Sequence, residues 1–250
     1  MTPVSSRSTG EPATALRDPT GGALRDLSSF THHLRTPLTG IRGHVELLLG
    51  GHCGPLTPMQ ARSLAAVSFL SHGLESLVED VVVLAESQLG GLTLVLQVVP
   101  VTALVDQVHQ TMHGLAAATG VPLTVELPPD AGTVLGDPRH LRRAVVNVVS
   151  NAIKFSPSGT PVVLQASRLG NLTRIAVLDN GIGVPDEERH RIFDREFCAR
   201  NAVSEGLAGA GLGLAVAKTI IDRHDGTISA LANGSGTTIT ITLPDLDQQS

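Results

Sequence analysis

Two adjacent histidines, His32 and His33, lie in a segment that also contains a hydroxyl group. Thr36 follows His32 by four residues, so in a helix these two side chains lie about 40° apart on one face. Pro37 removes the helical hydrogen bond to the carbonyl of His33 and bends a helix at that point. The segment therefore predicts a nucleophilic imidazole beside a hydroxyl. Helical geometry alone does not choose between the two histidines.

A second group of polar side chains combines two amides with a lysine. Asn147, Asn151 and Lys154 are spaced by four and three residues, so a helix places them on one face. Amide oxygens bind hard cations such as Mg²⁺, and a lysine neutralises phosphate charge. This face is therefore predicted to hold a triphosphate with its magnesium ion. Asn147 taken alone also fits an amide that only packs its helix.

A carboxylate and two glycines follow a short apolar run in the segment DNGIG, residues 179–183. Asp179 at the end of a strand can accept a hydrogen bond from the exocyclic amine of adenine. Gly181 and Gly183 allow the chain to turn closely around a base. Glycine turns after strands are common, so the segment gains its meaning from the amide–lysine helix that precedes it.

Three glycines in alternation form the segment GAGLGL, residues 209–214. Gly209, Gly211 and Gly213, with Leu212 between the last two, are predicted to open a helix whose free backbone N–H groups favour phosphate. The same string also resembles a dinucleotide-binding fingerprint. That interpretation is poor, because the strand–glycine–helix unit and its acidic residue are missing.

Two long helices are predicted to position the histidines. Apolar residues recur at alternating spacings of three and four over residues 24–48 and again over 67–84, and helix-breaking residues fill 50–58 between them. An α-helical hairpin of this kind exposes an apolar seam that it cannot bury alone. Pairing with a second copy into a four-helix bundle buries the seam, so a homodimer is expected.

The remainder of the chain is predicted to position the polar groups that would hold a nucleotide. Strand and helix patterns interleave after residue 91, which indicates an α+β sandwich with a mixed sheet and helices on one face. The predicted strands are 92–98, 122–127, 161–167, 173–179, 227–232 and 237–243, and the predicted helices are 101–118, 137–155 and 211–224.

Composition excludes several classes of function. The chain is 42% hydrophobic and 16% charged, as expected of a protein with a packed core, and its net charge of −5 argues against nucleic acid as a partner. Two cysteines give no disulfide framework, so a cytoplasmic location is expected. The longest apolar run, residues 92–105, is broken by Gln97 and Pro100 and is too short for membrane insertion.

Together these segments resemble the core of a sensor histidine kinase over residues 22–244, and residues 192–197 resemble the phenylalanine box of that family. The resemblance implies a HisKA-type dimerisation and phosphotransfer hairpin at 23–89. It also implies a GHKL-type ATP-binding domain at 90–245. A disordered arm at 1–22 and a tail at 246–250 complete the expected organisation.

The resemblance also assigns roles to the histidine segment. The family places its phosphoacceptor histidine five residues before the proline, which is His32. The next position usually holds an acidic residue that accepts a proton, and here it holds His33. Thr36 stands where related kinases help to orient the water that dephosphorylates the partner.

The resemblance makes Asn151 the magnesium ligand, places Asn147 in the phosphate region and puts Lys154 in contact with phosphate. The implied function is an ATP-dependent phosphotransferase. His32 takes the γ-phosphoryl group of ATP and passes it to an aspartate on a response-regulator receiver domain.

One alternative is a nucleotide-binding regulator or response-regulator phosphatase with weak autokinase activity, because His33 replaces the acidic residue. A protein that shares only the ATPase fold would not need the histidine hairpin. Only about 22 residues precede that hairpin, so a chain complete at Met1 would take its input from a separate sensor protein, from a ligand at the core, or from neither.

Overall fold

The two longest helices pack together as an antiparallel hairpin, α1 (Pro19–Leu49) and α2 (Pro58–Gln88). The computed structural model describes residues 19–207 and 209–246, without the side chains of residues 19–30, 32 and 69. Most of the predicted arm at 1–22 and tail at 246–250 lies outside these residues. In the described part of the chain, no helix combines the length and the apolar character that crossing a membrane requires.

Ion pairs and a helix cap fix the register and the turn of the hairpin. Arg42 pairs with Glu75 at 3.2 Å, so a residue late in α1 lies beside one in the middle of α2. Thr57 begins α2 with a capping box, in which its hydroxyl accepts from the backbone N–H of Gln60 and the Gln60 side chain accepts from the N–H of Thr57. This cap ends the breaker-rich turn at the residue before Pro58.

Part of the predicted apolar seam stays exposed within one chain. Leu38 and Val45 are buried between the helices, but Leu70 is 68% exposed and Leu74 is 50% exposed. These two leucines continue a stripe along α2 that also contains Val67, Leu77 and Val81, each of them exposed. The hairpin therefore presents an apolar stripe that its own chain does not cover.

The sheet of the second unit has five strands in the order β2-β4-β5-β7-β6. Strand β2 runs parallel to β4 and the other neighbours are antiparallel, so the sheet is mixed. Three helices pack on one face of it, which confirms the predicted α+β sandwich. The strands are β2 (Leu123–Glu126), β4 (Val162–Leu169), β5 (Leu172–Leu178), β6 (Thr227–Ala232) and β7 (Thr237–Pro244), and the helices are α3 (Val101–Thr119), α4 (Pro138–Phe155) and α6 (Gly213–Asp222).

The structure corrects two predicted elements. Residues 92–96 are not a strand, and a short strand β1 (Gln97–Pro100) pairs instead with β3 (Thr133–Gly136), which the sequence pattern does not predict. Helix α6 begins at residue 213 rather than 211, because Gly211 has a φ of 65°, which a right-handed helix does not accommodate. A further short helix, α5 (Arg200–Ser204), follows the phenylalanine box.

One carboxylate fixes the start of α4. Asp137 Oδ1 accepts hydrogen bonds from the backbone N–H groups of Arg139 and His140, and Oδ2 accepts from that of Val95 at 3.0 Å. The N–H of Asp137 itself donates to the buried ring of His224. Burial raises the pKa of Asp137, but the hydrogen bonds from Val95 and His140 outweigh it and hold the pKa at about 2.

We expect Asp137→Asn to lower the free energy of unfolding by about 2 kcal/mol near pH 7, because the fold lowers the pKa from 3.8 to about 2. The stabilisation is present above about pH 3.8 and is lost as the pH falls towards about 2. Urea unfolding of both proteins between pH 7 and pH 3 measures the difference. Asp106→Asn, an exposed position on α3, is the control. A difference that stays constant with pH would contradict the charge-based explanation.

Candidate functional site

A buried carboxylate stands at the end of β5. Asp179 is 8% exposed, and its Oδ1 accepts from the backbone N–H groups of Gly181 at 2.9 Å and Thr237 at 3.1 Å. Burial raises the pKa of Asp179, and these two hydrogen bonds oppose the rise. Both bonds end on Oδ1, so Oδ2 is the oxygen left for a donor from a ligand.

The turn after Asp179 is joined to the end of α4. The backbone N–H of Ile182 donates to the carbonyl of Phe155 at 3.2 Å, and a β-carbon at position 181 would collide with the same carbonyl. Gly183 has a φ of 67°, in the left-handed region. Gly181 is therefore required by the close approach of this turn to α4, and Gly183 by its left-handed backbone conformation.

A cavity of about 190 Å³ opens beside this turn. Half-buried Asn151 and exposed Lys154 line it from α4, and Asp179 and Gly183 line it from the turn. The cavity therefore brings together two of the three predicted α4 residues and the predicted carboxylate. The glycine segment closes another side with Gly209, Ala210, Gly211, Leu212 and Gly213.

Close approach also explains the glycine segment. A β-carbon on Gly211 would lie 2.8 Å from the carbonyl oxygen of Phe197, and one on Gly209 would lie 2.7 Å from Lys154 Nζ. The carbonyl of Gly211 accepts from the N–H of Glu196, which ties the segment to the phenylalanine box. Because α6 starts at Gly213, backbone N–H groups at its first turn face this region without helical partners.

Asn147 lies differently from the other two predicted α4 residues. Asn147 is 8% exposed, and it is not one of the described residues that line the cavity. Its Nδ2 donates to Asp80 Oδ1 at 3.2 Å and to the carbonyl of Gly213 at 3.0 Å. The structure thus places Asn147 beneath the start of α6, in contact with the hairpin.

Several lining residues carry no recognisable sequence signal. Asn201 in α5 donates to the carbonyls of Ile182 and Gly183 and so holds the turn against α5. Leu77 reaches the cavity from α2, although its spacing indicates a seam position. The other lining residues outside the predicted motifs are Ala152, Phe155, Val184, Cys198, Ala199, Ala202, Thr237 and Ile239.

The histidine segment lies inside α1, and the helix continues through Pro37. His33 and Thr36 are exposed, and Arg35 Nη2 lies 3.6 Å from Glu79 Oε1 on α2. The side chain of His32 lies outside the described residues. The predicted pairing of His32 with Thr36 therefore stays a prediction.

Two family models match the two units of the chain. The model of the His Kinase A (phospho-acceptor) domain matches residues 26–90, and that of the histidine kinase-, DNA gyrase B- and HSP90-like ATPases matches residues 136–247. The solved mycobacterial sensor histidine kinase MprB is 30% identical, with a TM-score of 0.53 over 60% of this chain and 98% of that chain. The chain belongs to the sensor histidine kinases.

Longer members of the family match almost the whole kinase chain. The circadian input-output histidine kinase CikA of Synechococcus elongatus is 31% identical over 223 residues, which are 88% of this chain and 29% of CikA. The solved full-length ShkA, in complex with AMPPNP, is 29% identical with a TM-score of 0.66, over 88% of this chain and 46% of that one. The kinase chain thus spans less than half of either relative.

We expect Asp179→Asn in this histidine kinase to weaken binding of AMPPNP about tenfold or more. The amide would present an N–H donor where the carboxylate is predicted to accept from a base amine, and a hydrogen bond to a charged group contributes about 1.5–3 kcal/mol. Isothermal titration calorimetry measures the affinity. Asp222→Asn, an exposed carboxylate paired with Lys218 on α6, is the matched control. Equal affinities for both variants would remove Asp179 from the site.

Proposed function

We propose that this chain is the catalytic core of an ATP-dependent protein-histidine kinase of a two-component system. The observation that carries the proposal is the cavity, which joins the Asp179 turn, the α4 amide–lysine face and the glycine segment. One of its walls is formed by Leu77 of the hairpin that bears the histidines. The proposed nucleotide site thus adjoins the hairpin that contains the phosphoacceptor helix.

Adenine would lie at the Asp179 end of the cavity. Asp179 accepts the exocyclic amine, and the apolar side chains of Ile182 and Ile239 line the same cavity and suit the faces of a base. The phosphates then extend along α4 past Lys154, which supplies positive charge. The backbone N–H groups at the start of α6 provide further donors to phosphate oxygens.

Magnesium fits the donor set on α4. Within residues 19–207 and 209–246, no group of three or more His, Cys, Asp or Glu side chains is placed to hold a metal ion. Asn151 offers an amide oxygen at the cavity, and Mg²⁺ is commonly held by few protein oxygens together with substrate phosphates. When bound, the ion neutralises charge on the phosphates, and Asn151 would hold it.

The phosphoryl transfer that we propose requires positioning above all. A bond forms between an imidazole nitrogen of His32 and the γ-phosphorus, while the bond from that phosphorus to the bridging oxygen breaks and ADP leaves. His33 is the adjacent exposed group that accepts the imidazole proton, a role within the reach of a neutral imidazole. His32 then gives the phosphoryl group to an aspartate of a receiver domain.

Thr36 acts in the opposite process in this proposal, the dephosphorylation of the receiver domain. Its hydroxyl is exposed on α1, where it can orient a water molecule toward a phosphorylated receiver aspartate. The alternative of a regulator with little autokinase activity draws on a single observation, the imidazole of His33 in place of a carboxylate. Family membership and a cavity that contains the nucleotide motifs favour the kinase.

Purified protein incubated with γ-labelled ATP and magnesium should acquire label that is stable in base and lost in acid. We expect His32→Ala to abolish the label and His44→Ala, an exposed histidine of the same helix, to leave it unchanged. His33→Glu should raise the rate about tenfold or more, because a carboxylate gives electrostatic help to an imidazolium partner that a neutral imidazole does not, and a general base is worth about 10²–10⁴ in rate. Measurable ATP binding without any label would favour the regulator instead.

The exposed stripe on α2 supports a homodimer. We expect Leu74→Glu to convert the protein from a dimer to a monomer, because a buried carboxylate at a bundle seam is strongly unfavourable. Light scattering coupled to size-exclusion chromatography measures the mass. Leu169→Glu is the control, since Leu169 is 67% exposed at the tip of the β4–β5 hairpin. A wild-type protein that is already monomeric would overturn this part of the proposal.

A further inference from the structure

Polar side chains of the ATP-binding unit also contact helix α2. Arg143 of α4 donates to Asp80 Oδ1 at 2.7 Å and to the carbonyl of Ser76 at 2.8 Å, and it pairs with Glu79. We call this contact the docked arrangement. Two further arginines donate to backbone carbonyls nearer the end of α2, Arg195 to Leu84 and Arg223 to Ser87.

The carboxylate of Asp80 links this contact to the nucleotide site. Asp80 is 4% exposed, and the oxygen that accepts from Arg143 also accepts from Asn147 Nδ2 at 3.2 Å. The same amide nitrogen donates to the carbonyl of Gly213. In the docked arrangement the N–H groups of Asn147 are therefore directed at protein acceptors.

Helix geometry shows which end of a nucleotide this contact would meet. The base end is fixed at Phe155, whose carbonyl accepts from the Asp179–Gly183 turn. Asn147 lies eight residues before Phe155, so it is about 12 Å away along the axis of α4. Lys154 and Asn151 lie between the two. Asn147 and Asp80 therefore lie at the end where the terminal phosphate of a triphosphate would be.

A terminal phosphate at this end would meet unfavourable chemistry. The buried carboxylate of Asp80 repels a second anion, and repulsion between like charges is strong where water is excluded. The Asn147 amide and the Arg143 guanidinium already bond to Asp80. A diphosphate ends before this position and leaves the contact intact.

We propose that Asp80 makes the docked arrangement discriminate between nucleotides, accepting ADP and disfavouring ATP. This inference rests on the proposed nucleotide site and adds a residue of the hairpin to it. By linkage, a nucleotide that binds the docked arrangement less well shifts the protein away from it by the same factor. ATP then releases Asn147 and Arg143 from α2, and ADP allows α2 to dock again.

The test measures the affinities of the full chain for ADP and for AMPPNP, both with magnesium, by isothermal titration calorimetry. AMPPNP carries a third phosphate and resists hydrolysis. We expect Asp80→Asn, which keeps the size of the side chain and removes its charge, to tighten AMPPNP binding about tenfold and to change ADP binding less than twofold. Asp80→Ala should change the ratio in the same direction, which guards against a local packing effect of a single variant.

Glu75→Gln is the matched control. Glu75 is a carboxylate of the same helix, one turn before Glu79, but it pairs with Arg42 inside the hairpin. The ratio of the two affinities should stay at the wild-type value in this variant. A circular-dichroism melt of each variant establishes that the proteins compared are folded.

Three outcomes would overturn the inference, and each has a different consequence for the proposed kinase and its nucleotide site. Equal changes for ADP and AMPPNP, or weaker AMPPNP binding, would show that Asp80 only positions Asn147. No change in either affinity, in a protein that still phosphorylates His32, would remove the discrimination and leave the proposed kinase intact. Failure of the wild-type protein to bind either nucleotide would remove the nucleotide site itself, and the inference with it.

Discussion

The main segments of the candidate site are positioned by α4. One face of this helix is apolar and packs into the core, and the rest of it carries polar groups. Its valines pack into the core against the sheet and α6, and Val145, Val148 and Val149 are almost fully buried. The rest of the helix carries groups that other segments contact: the carbonyl of Phe155, Asn147 and Arg143. Because the valine face cannot rotate without exposing apolar surface, the polar face is held in one orientation.

The two units meet through a surface that is partly polar and partly apolar. Arginines of the ATP-binding unit donate to carboxylates and to backbone carbonyls of α2, and Val83 and Leu84 of α2 are buried in the same hydrophobic cluster as α4 and α6. Polar contacts of this kind exchange readily for water, so their net contribution is modest. The polar part of this contact suits a separable arrangement, whereas the burial of Val83 and Leu84 favours the contact between the end of α2 and the core.

The sequence predicts most of the long elements and much of the site, because both depend on local patterns. Hydrophobic periodicity indicates both hairpin helices, and close backbone approach requires Gly181 and Gly211 among the predicted glycines. The ribbon of β1 and β3 is missed, since its pairing joins segments far apart in the chain, which no local pattern indicates. Asp80 and Asn201 are missed as site residues because tertiary contacts alone bring them there.

The hydrogen bond from Val95 to Asp137 gives the connection between the two units a definite length. Helix α2 ends at Gln88, and seven residues later the chain is anchored to the residue that caps α4. Seven residues extend to about 25 Å at most. The ATP-binding unit is thus on a short tether, and an undocked unit stays at a high effective concentration beside its own hairpin. Tether length, and not affinity alone, then determines how quickly the two units meet again.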